Sequence, residues 1–333
     1  RPSKKLLWVQ NFAMIAGVTG FLLSACSQKT VTKEDKQLLS RAQGQFEPLP
    51  ANDINVEKNK ELIHLGRKLY FEKRLSVNNQ VSCNTCHDLE NYGVDNEPTS
   101  PGHDETRGPR NSPTVYNASL HIAQFWDGRE PDVEHQALGP ILNPIEMGMP
   151  SEQAVVKKVK KMNEYDSLFE EAFPKQKEPI KFQNIGKAIG AYERTLMTPS
   201  RFDDYLEGNV HALSKKEREG LKTFMEVGCT TCHNGPAIGG NSYQKIGLVN
   251  EYETEDLGRY EVTGNELDKK FFKVPSLRNV EKTWPYFHDG SVKTLDEAIE
   301  LMAFHQVDGD LTDEQRKEIE TFLGALTAED PEF

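Results

Sequence analysis

The chain has 333 residues, which is more than one ordinary hydrophobic core and favours two domains. Only 36% of the residues are hydrophobic while 28% are charged, so a large apolar cofactor could supply part of the core. The formal net charge is −12, which argues against nucleic-acid binding because the chain has no excess of basic side chains to displace counterions from phosphates.

The first 25 residues are predicted to be an export signal. Arg1, Lys4 and Lys5 form a basic start, and an apolar run over residues 12–25 follows that is too short to cross a bilayer comfortably. The run ends in Leu-Ser-Ala before Cys26 and resembles a bacterial lipobox, in which the cysteine carries lipid and tethers a soluble body. A plain uncleaved anchor is the alternative. Both interpretations place the rest of the chain in the periplasm or cell envelope.

Residues 26–50 are polar and are predicted to be a tether between the lipid and the folded body. Residues 1–25 carry three basic and no acidic side chains, so the rest of the chain is near −15. That charge suits a positively charged protein partner drawn in by electrostatic steering. The alternative is that an exported acidic protein is simply soluble.

A first helix is predicted over residues 57–71, where Leu62, Leu65 and Leu69 share one stripe. It leads into Cys83-Asn-Thr-Cys86-His87. Further helical patterns occupy residues 151–162 and 184–197. Clusters of Pro and Gly predict loops over 99–113, 139–150 and 235–240.

A second helix of the same kind is predicted over residues 214–226, opened by a capping box of Ser214 with Glu217. It leads into Cys229-Thr-Thr-Cys232-His233. A helix followed by C-x-x-C-H therefore occurs twice. This weak internal repeat favours two similar domains.

Two late capping boxes, Thr294 with Glu297 and Thr312 with Gln315, predict two more helices. The first contains LMAFHQ (301–306), in which Met302 and His305 lie three residues apart and share a helix face. Either side chain could bind a metal ion. The pattern alone leaves both choices open.

The cysteines decide the cofactor class. If Cys26 carries lipid, the other four form two C-x-x-C-H sequences, the attachment signature of c-type haem, in which the histidine binds the iron. A four-cysteine zinc site is less suitable because its pairs would lie closer together and need no histidine. Thioredoxin-like motifs would need a βαβ context that the pattern lacks. The sequence therefore predicts two covalent haems.

The predicted class is mainly α, with two cytochrome c-like haem domains and long loops ordered by packing on the porphyrins. The N-terminal haem domain is predicted over residues 51–200 and the C-terminal one over residues 201–333. His64, His121, His135 and His211 are expected at the surface or in ordinary packing.

Several further stretches, together with both haem motifs, resemble the bacterial dihaem cytochrome c peroxidase family. They are RNSPT (110–114), WDGR (126–129), PIEM (144–147), VPSLRNV (274–280), PYFHDG (285–290) and MA (302–303) ahead of Gln306. The resemblance runs in continuous order from about Leu62 to the C-terminus. The family includes the dihaem enzyme that matures methylamine dehydrogenase, so the resemblance leaves the substrate open.

The resemblance implies that the N-terminal haem reduces hydrogen peroxide to water. His87 would be its proximal ligand, and His103 in the Gly-Pro-rich loop could cap the opposite face at rest. Glu146 would be the acid–base group and Gln136 its polar neighbour. Trp126 would lie between the haems.

The resemblance also implies that the C-terminal haem accepts electrons from a small cytochrome c or cupredoxin. Its ligands would be His233 and Met302, and a thioether raises the potential of a haem relative to bis-histidine ligation. A calcium ion between the domains would bind the Asn111 side chain and the carbonyls of Thr283 and Pro285. A homodimer is implied as well.

Two other functions compete with the peroxidase. One is a dihaem protein-modifying oxidase like the maturation enzyme, in which the position of Met302 is a tyrosine. The other is a non-enzymatic electron carrier with both irons permanently six-coordinate.

Overall fold

A computed structural model describes residues 30–307, 309–329 and 331. The predicted signal and the candidate lipid site Cys26 lie outside the described residues. Within them, no helix combines the length and the apolar character needed to span a bilayer.

The described chain is mainly helical, which confirms the predicted class at that level. The helices are α1 Lys33–Gln43, α2 Val56–Tyr70, α3 Cys83–Cys86, α4 Val133–Gln136, α5 Gly139–Leu142, α6 Glu152–Val159, α7 Glu164–Ala172, α8 Phe182–Glu193, α9 Arg201–Leu206, α10 Lys215–Val227, α11 Tyr260–Thr263, α12 Leu295–Gln306 and α13 Asp313–Gly324. The strands β1 Tyr243–Lys245 and β2 Phe271–Lys273 form one antiparallel pair, with Tyr243 opposite Lys273.

The predicted helix starts agree with the structure wherever a cap was visible in the sequence. Ser214 caps α10, Thr294 caps α12 and Thr312 caps α13, each by accepting a hydrogen bond from a backbone N–H in the first turn. The shorter helices α7 and α9 were not predicted, because their patterns are too brief to separate from a loop.

The buried apolar side chains form two clusters. One is built on α2 and α8 and contains Leu65, Leu69 and Ile189. The other is built on α10 and α13 and contains Leu221, Phe322 and Leu323. The division into two haem domains at residue 200 stays a prediction, but the two cores follow the same order along the chain.

A glycine allows the close helix crossing in each core. A Cβ added at Gly66 on α2 would lie 1.8 Å from the Ala188 carbonyl oxygen of α8. A Cβ added at Gly220 on α10 would lie 2.0 Å from the Glu318 carbonyl oxygen of α13. The helix ahead of each C-x-x-C-H sequence is therefore pressed against a later helix in the same way.

The predicted tether over residues 26–50 was wrong from Lys33 onward. Residues 33–43 form α1, which starts at a capping box of Thr32 with Asp35. Ala42 and Phe46 are 0% and 2% exposed and pack with Phe202 in the second core. Few side chains of this segment are buried, so its composition is polar. Those few are sufficient to hold α1 against the second core.

Candidate functional site

The first C-x-x-C-H sequence starts as a single helical turn, α3. The backbone N–H and the hydroxyl of Ser82 meet the Thr85 hydroxyl, and the His87 N–H donates to the Cys83 carbonyl at 3.0 Å. This turn carries both thiols, and its last hydrogen bond fixes the backbone of His87 directly after them. Neither cysteine is in a disulfide. Burial raises the pKa of the Cys83 thiol and brings that of Cys86 to about 11.

His87 is fixed through its backbone and leaves its ring free. The Tyr70 hydroxyl donates to its carbonyl at 2.7 Å, while the buried Nδ1 atom of the ring has no hydrogen-bond partner in the described chain. Burial lowers the pKa of His87, so its imidazole is neutral near pH 7. A neutral imidazole whose buried Nδ1 atom has no hydrogen-bond partner in the described chain, next to two free thiols, fits a covalently attached haem.

The second C-x-x-C-H sequence follows α10 after a break at Gly228, where φ is 101°. The Nδ1 atom of His233 lies 3.4 Å from the Ile238 carbonyl. A hydrogen on Nδ1 leaves the lone pair on Nε2 for a metal. Burial lowers the pKa of His233 to about 4, which keeps the ring neutral.

A large apolar cavity adjoins this second sequence. Cys229, Cys232, His233 and Met302 all line it, together with apolar side chains of α10, α12 and α13. An apolar cavity with two free thiols, an imidazole and a thioether has the donors that a c-type haem requires. The residues therefore fit the haem that the sequence predicted.

A zinc site is not supported. Within the ranges 30–307 and 309–329, no group of three or more His, Cys, Asp or Glu side chains is arranged to hold a metal ion.

The structure separates the two candidate ligands in LMAFHQ. Met302 lines the cavity that also contains His233. His305 does not line it, and its Nδ1 atom donates to the Asn250 carbonyl at 2.8 Å. Its ring also contacts Tyr252 edge-on, with the centroids 5.2 Å apart. Met302 therefore shares a cavity with His233, as its predicted ligand role requires, whereas His305 is engaged with the neighbouring loop.

Glu146 lies close to the first haem sequence. Its carboxylate accepts a hydrogen bond from Asn143 Nδ2 at 2.8 Å. Burial raises the pKa of Glu146, against the opposing effects of Arg129 and of the Asn143 hydrogen bond. Met147, the residue after Glu146, belongs to the buried cluster against which Cys83 packs, so Glu146 lies near the first haem sequence. The raised pKa makes this carboxylate a stronger proton acceptor than an exposed glutamate.

His103 packs on the loop that carries Glu146. Its backbone N–H donates to the Glu146 carbonyl at 2.7 Å, and its Nε2 atom donates to the Pro144 carbonyl at 2.9 Å. A Cβ added at Gly148 would lie 2.4 Å from the same ring. In this conformation Nε2 is engaged, so iron ligation would require the ring to leave Pro144. Gln136 is half-buried at the end of α4.

Trp126 connects the two halves of the chain. Its indole N–H donates to the Asn111 carbonyl at 2.9 Å, and its own carbonyl accepts from the Lys273 N–H at 2.8 Å. It lines the cavity of the second haem sequence together with Asn111. Its place at this junction suits the predicted role between two haems.

The three predicted calcium ligands lie on the wall of the same cavity. Asn111 Nδ2 donates to the carbonyls of Glu97 and Pro98, which orients the amide and leaves its oxygen without a partner in the described chain. The side chain of Asn96 donates to the carbonyls of Lys282 and Trp284. The carbonyls of Thr283 and Pro285, which alternate with them along the chain, accept no hydrogen bond within the described residues. The three oxygens predicted to bind calcium are therefore free of hydrogen bonds within the described residues.

Two arginines in the family-like stretches have structural roles. Arg110 forms ion pairs with Asp127 at 2.5 Å and Asp256 at 2.6 Å. Arg278 is 1% exposed and makes two hydrogen bonds to Asp203, at 2.6 and 2.8 Å. Arg278 Nε also donates to the Pro236 carbonyl at 2.8 Å, which fixes the loop after His233 to α9.

The sequence did not indicate one further cluster in the second cavity. His121, expected at the surface or in ordinary packing, accepts a hydrogen bond from the buried Lys273 ammonium at 3.0 Å. The two residues come from opposite halves of the chain. No local pattern could have paired them.

Comparison with known proteins places the chain among haem peroxidases. A family model described as di-haem cytochrome c peroxidase matches residues 60–211. The chain is 45% identical to the cytochrome c551 peroxidase of Nitrosomonas europaea, over 86% of each protein. It is 42% identical to the cytochrome c551 peroxidase of Pseudomonas aeruginosa, over 88% of this chain and 87% of that protein. A solved MauG-like protein associated with microbial copper homeostasis superposes with a TM-score of 0.74 at 29% identity, covering 84% of this chain and 94% of the other.

Proposed function

Because this chain belongs to the di-haem cytochrome c peroxidase family and is a haem peroxidase with two c-type haems, we propose that it reduces hydrogen peroxide with electrons from a small, positively charged cytochrome c or cupredoxin. We place it in the periplasm or cell envelope, tethered by lipid on Cys26. The sequence pattern of residues 1–26 supports that location. A homodimer remains part of the proposal through the family resemblance alone.

The observation that carries the proposal is the half-buried Glu146 carboxyl near the first haem sequence. Peroxide reduction consumes two electrons and two protons for each two waters formed. A haem bound through His87 would supply the iron centre and the electrons for this step. Glu146 then has the position and the raised pKa to take a proton from peroxide and return it to the leaving oxygen. Gln136 and Asn143 would orient the groups around it.

Electron entry is proposed at the second haem sequence. His233 and Met302 supply an imidazole and a thioether to one cavity. A thioether ligand would stabilise the reduced iron, so the oxidised haem would accept an electron more easily. Trp126 joins that cavity to the first half of the chain through its hydrogen bonds to Asn111 and Lys273. The proposed direction of transfer is therefore from the second haem to the first.

Turnover with a reduced protein donor tests the function. The calcium-loaded protein, mildly pre-reduced, is expected to oxidise reduced cytochrome c rapidly and saturably when peroxide is added. The rate should fall as salt is raised, because the acidic chain attracts a basic donor by long-range charge. Stopped-flow absorbance of the donor measures it. A rate no better than that of free haem contradicts the proposal.

A second candidate is a protein-modifying oxidase, favoured by the structural similarity to a MauG-like protein. It would need a second haem whose ligand is not a thioether, whereas Met302 lines the cavity here. Stable storage of two oxidising equivalents after peroxide addition, without cytochrome c oxidation, would support this function instead.

We also propose a calcium ion bound by Asn111 Oδ1 and the carbonyls of Thr283 and Pro285. Three oxygens that accept no described hydrogen bond support it, and waters would complete the coordination. Asn111→Ala is expected to weaken calcium binding by at least about 10–100-fold, since lost support of a metal ligand alone has that effect. Isothermal titration of the chelator-treated protein measures the affinity. Asn163→Ala, which changes an exposed asparagine without a capping hydrogen bond, is the matched control. Equal affinities in both variants would refute the assignment.

A further inference from the structure

The cavity of the second haem sequence contains a buried cation without a counter-charge. Lys273 on β2 is 7% exposed and lies on the cavity wall. Within the described residues no carboxylate lies within salt-bridge distance of its ammonium, and no Asp or Glu lines the cavity. The chain has 52 acidic residues, so this lack of an acid is specific to the cavity. A buried ammonium is costly unless an anion compensates it.

His121 does not supply the missing charge. Its Nδ1 atom accepts the hydrogen bond from Lys273 at 3.0 Å, so its hydrogen is on Nε2. Burial and the adjacent Lys273 cation hold the pKa of His121 well below its usual value, so the ring is neutral. The buried Nε2 atom has no hydrogen-bond partner in the described chain. Within the described chain the pair therefore presents one ammonium without a counter-charge and one N–H donor without a hydrogen-bond partner.

The pair is held rigidly at the junction of the two halves. The Lys273 N–H donates to the Trp126 carbonyl at 2.8 Å, and Lys273 pairs with Tyr243 in the sheet. The His121 ring packs on Gly240, where an added Cβ would lie 2.2 Å from it. Gly240 belongs to the loop that follows Cys232 and His233. The two donors thus stand between the second haem sequence and Trp126.

We propose that Lys273 and His121 form a carboxylate-binding site that receives a propionate of the haem attached at Cys229 and Cys232. A haem carries its own carboxylates into a cavity that otherwise has none. The ammonium would pair with one carboxylate oxygen, and the imidazole Nε2–H would donate to the same group. Neutralising that propionate would raise the reduction potential of the haem.

Burial lowers the pKa of Lys273 to about 8, so the ammonium is still mostly charged at neutral pH even without its anion. A bound carboxylate would favour the charged form further. The inference rests on the second haem of the proposed function, but it does not require peroxide turnover. Its failure and the failure of the peroxidase assignment are therefore distinguishable.

A redox titration followed by optical spectroscopy tests the site in the full two-haem protein. Lys273→Met keeps the length of the side chain and removes its charge. At the potential where the wild-type second haem is half reduced, the ratio of reduced to oxidised second haem should fall at least about tenfold. Lys245→Met makes the same change at an exposed position of β1 and should leave the ratio unchanged. Lys273→Arg should retain most of the wild-type ratio.

His121→Phe removes the N–H donor and the acceptor of the Lys273 hydrogen bond but leaves the ammonium charge, so it should cause a smaller shift in the same direction. If Lys273→Met does not accumulate as holoprotein, the Lys273→Arg and His121→Phe titrations decide the question. An unchanged ratio in both His121→Phe and Lys273→Met, or equal shifts in Lys273→Met and Lys245→Met, would overturn the proposal.

A free anion could offer the same carboxylate-like chemistry. Titrations at several inorganic phosphate concentrations and constant ionic strength separate the two sources. A haem propionate predicts a wild-type potential that is independent of phosphate. A potential that follows the phosphate concentration and loses that dependence in Lys273→Met would replace the propionate by a free anion and overturn the assignment.

Discussion

Replacing Glu146 with glutamine is expected to reduce peroxide turnover by about 10²–10⁴-fold, the usual contribution of a positioned general acid–base group. Glutamine keeps the size and the hydrogen bonding to Asn143 but cannot accept and return a proton. Donor binding and reduction of the second haem should be unaffected, because both occur at the other cavity. Steady-state oxidation of reduced cytochrome c measures the loss.

The pH profile gives an independent check on Glu146. Burial raises the pKa of this carboxyl above its ordinary value, and the carboxylate form is the base. Activity should therefore be present above that raised pKa and decline as the pH falls through it. In the glutamine variant the residual activity should lack this acidic limb. Glu170→Gln, at an exposed position of α7, should retain both the rate and the limb.

The same variant separates a peroxidase from an electron carrier. A carrier has no proton to move at Glu146, so its electron transfer between protein partners should survive the change. Full peroxide turnover in Glu146→Gln would remove the carboxyl from the mechanism, whatever the identity of the donor.

Replacing Met302 with histidine is expected to lower the reduction potential of the second haem by on the order of 0.1 V, within the roughly 0.8 V that axial ligands span. The imidazole stabilises the oxidised iron more than the thioether does. Reduction by cytochrome c should then stall, while a low-potential artificial reductant still delivers electrons. Spectroelectrochemical titration of the two haems measures the shift.

His305→Ala is the matched control for Met302→His, because the two positions lie one turn apart on α12. His305 is bonded to the Asn250 carbonyl and does not line the cavity, so its removal should leave the potential near that of the wild type. A large shift in His305→Ala with none in Met302→His would reverse the ligand assignment.

Much of the fold could be predicted because its signals are local. The stripe of Leu62, Leu65 and Leu69 and the capping box at Ser214 correspond to α2 and α10 within one or two residues. A helix period and a cap depend only on residues within a turn of each other. The docking of α1 was missed because two buried side chains, Ala42 and Phe46, are too few to show in the composition of a polar segment.

The candidate site also combines features that local sequence predicts with features that depend on the fold. Haem attachment could be predicted from each C-x-x-C-H sequence, because five consecutive residues contain both thiols and the imidazole. The environment of Glu146 could not, since its raised pKa depends on burial in the folded chain, which outweighs the opposing effects of Arg129 and Asn143. The choice between Met302 and His305 needed the family resemblance at the sequence level, and the cavity lining then separated them.

The sequence by itself determined the two attachment points, the mainly helical class and the resemblance to a di-haem peroxidase. Attachment motifs and helix periodicity depend only on residues that are close together in the sequence. Only the tertiary structure decided which ionisable groups lie in apolar surroundings and which of them meet. Lys273 and His121 are 152 residues apart and contact at 3.0 Å. Their chemistry follows from desolvation and from the missing counter-charge, and both exist only once the two halves of the chain have packed together.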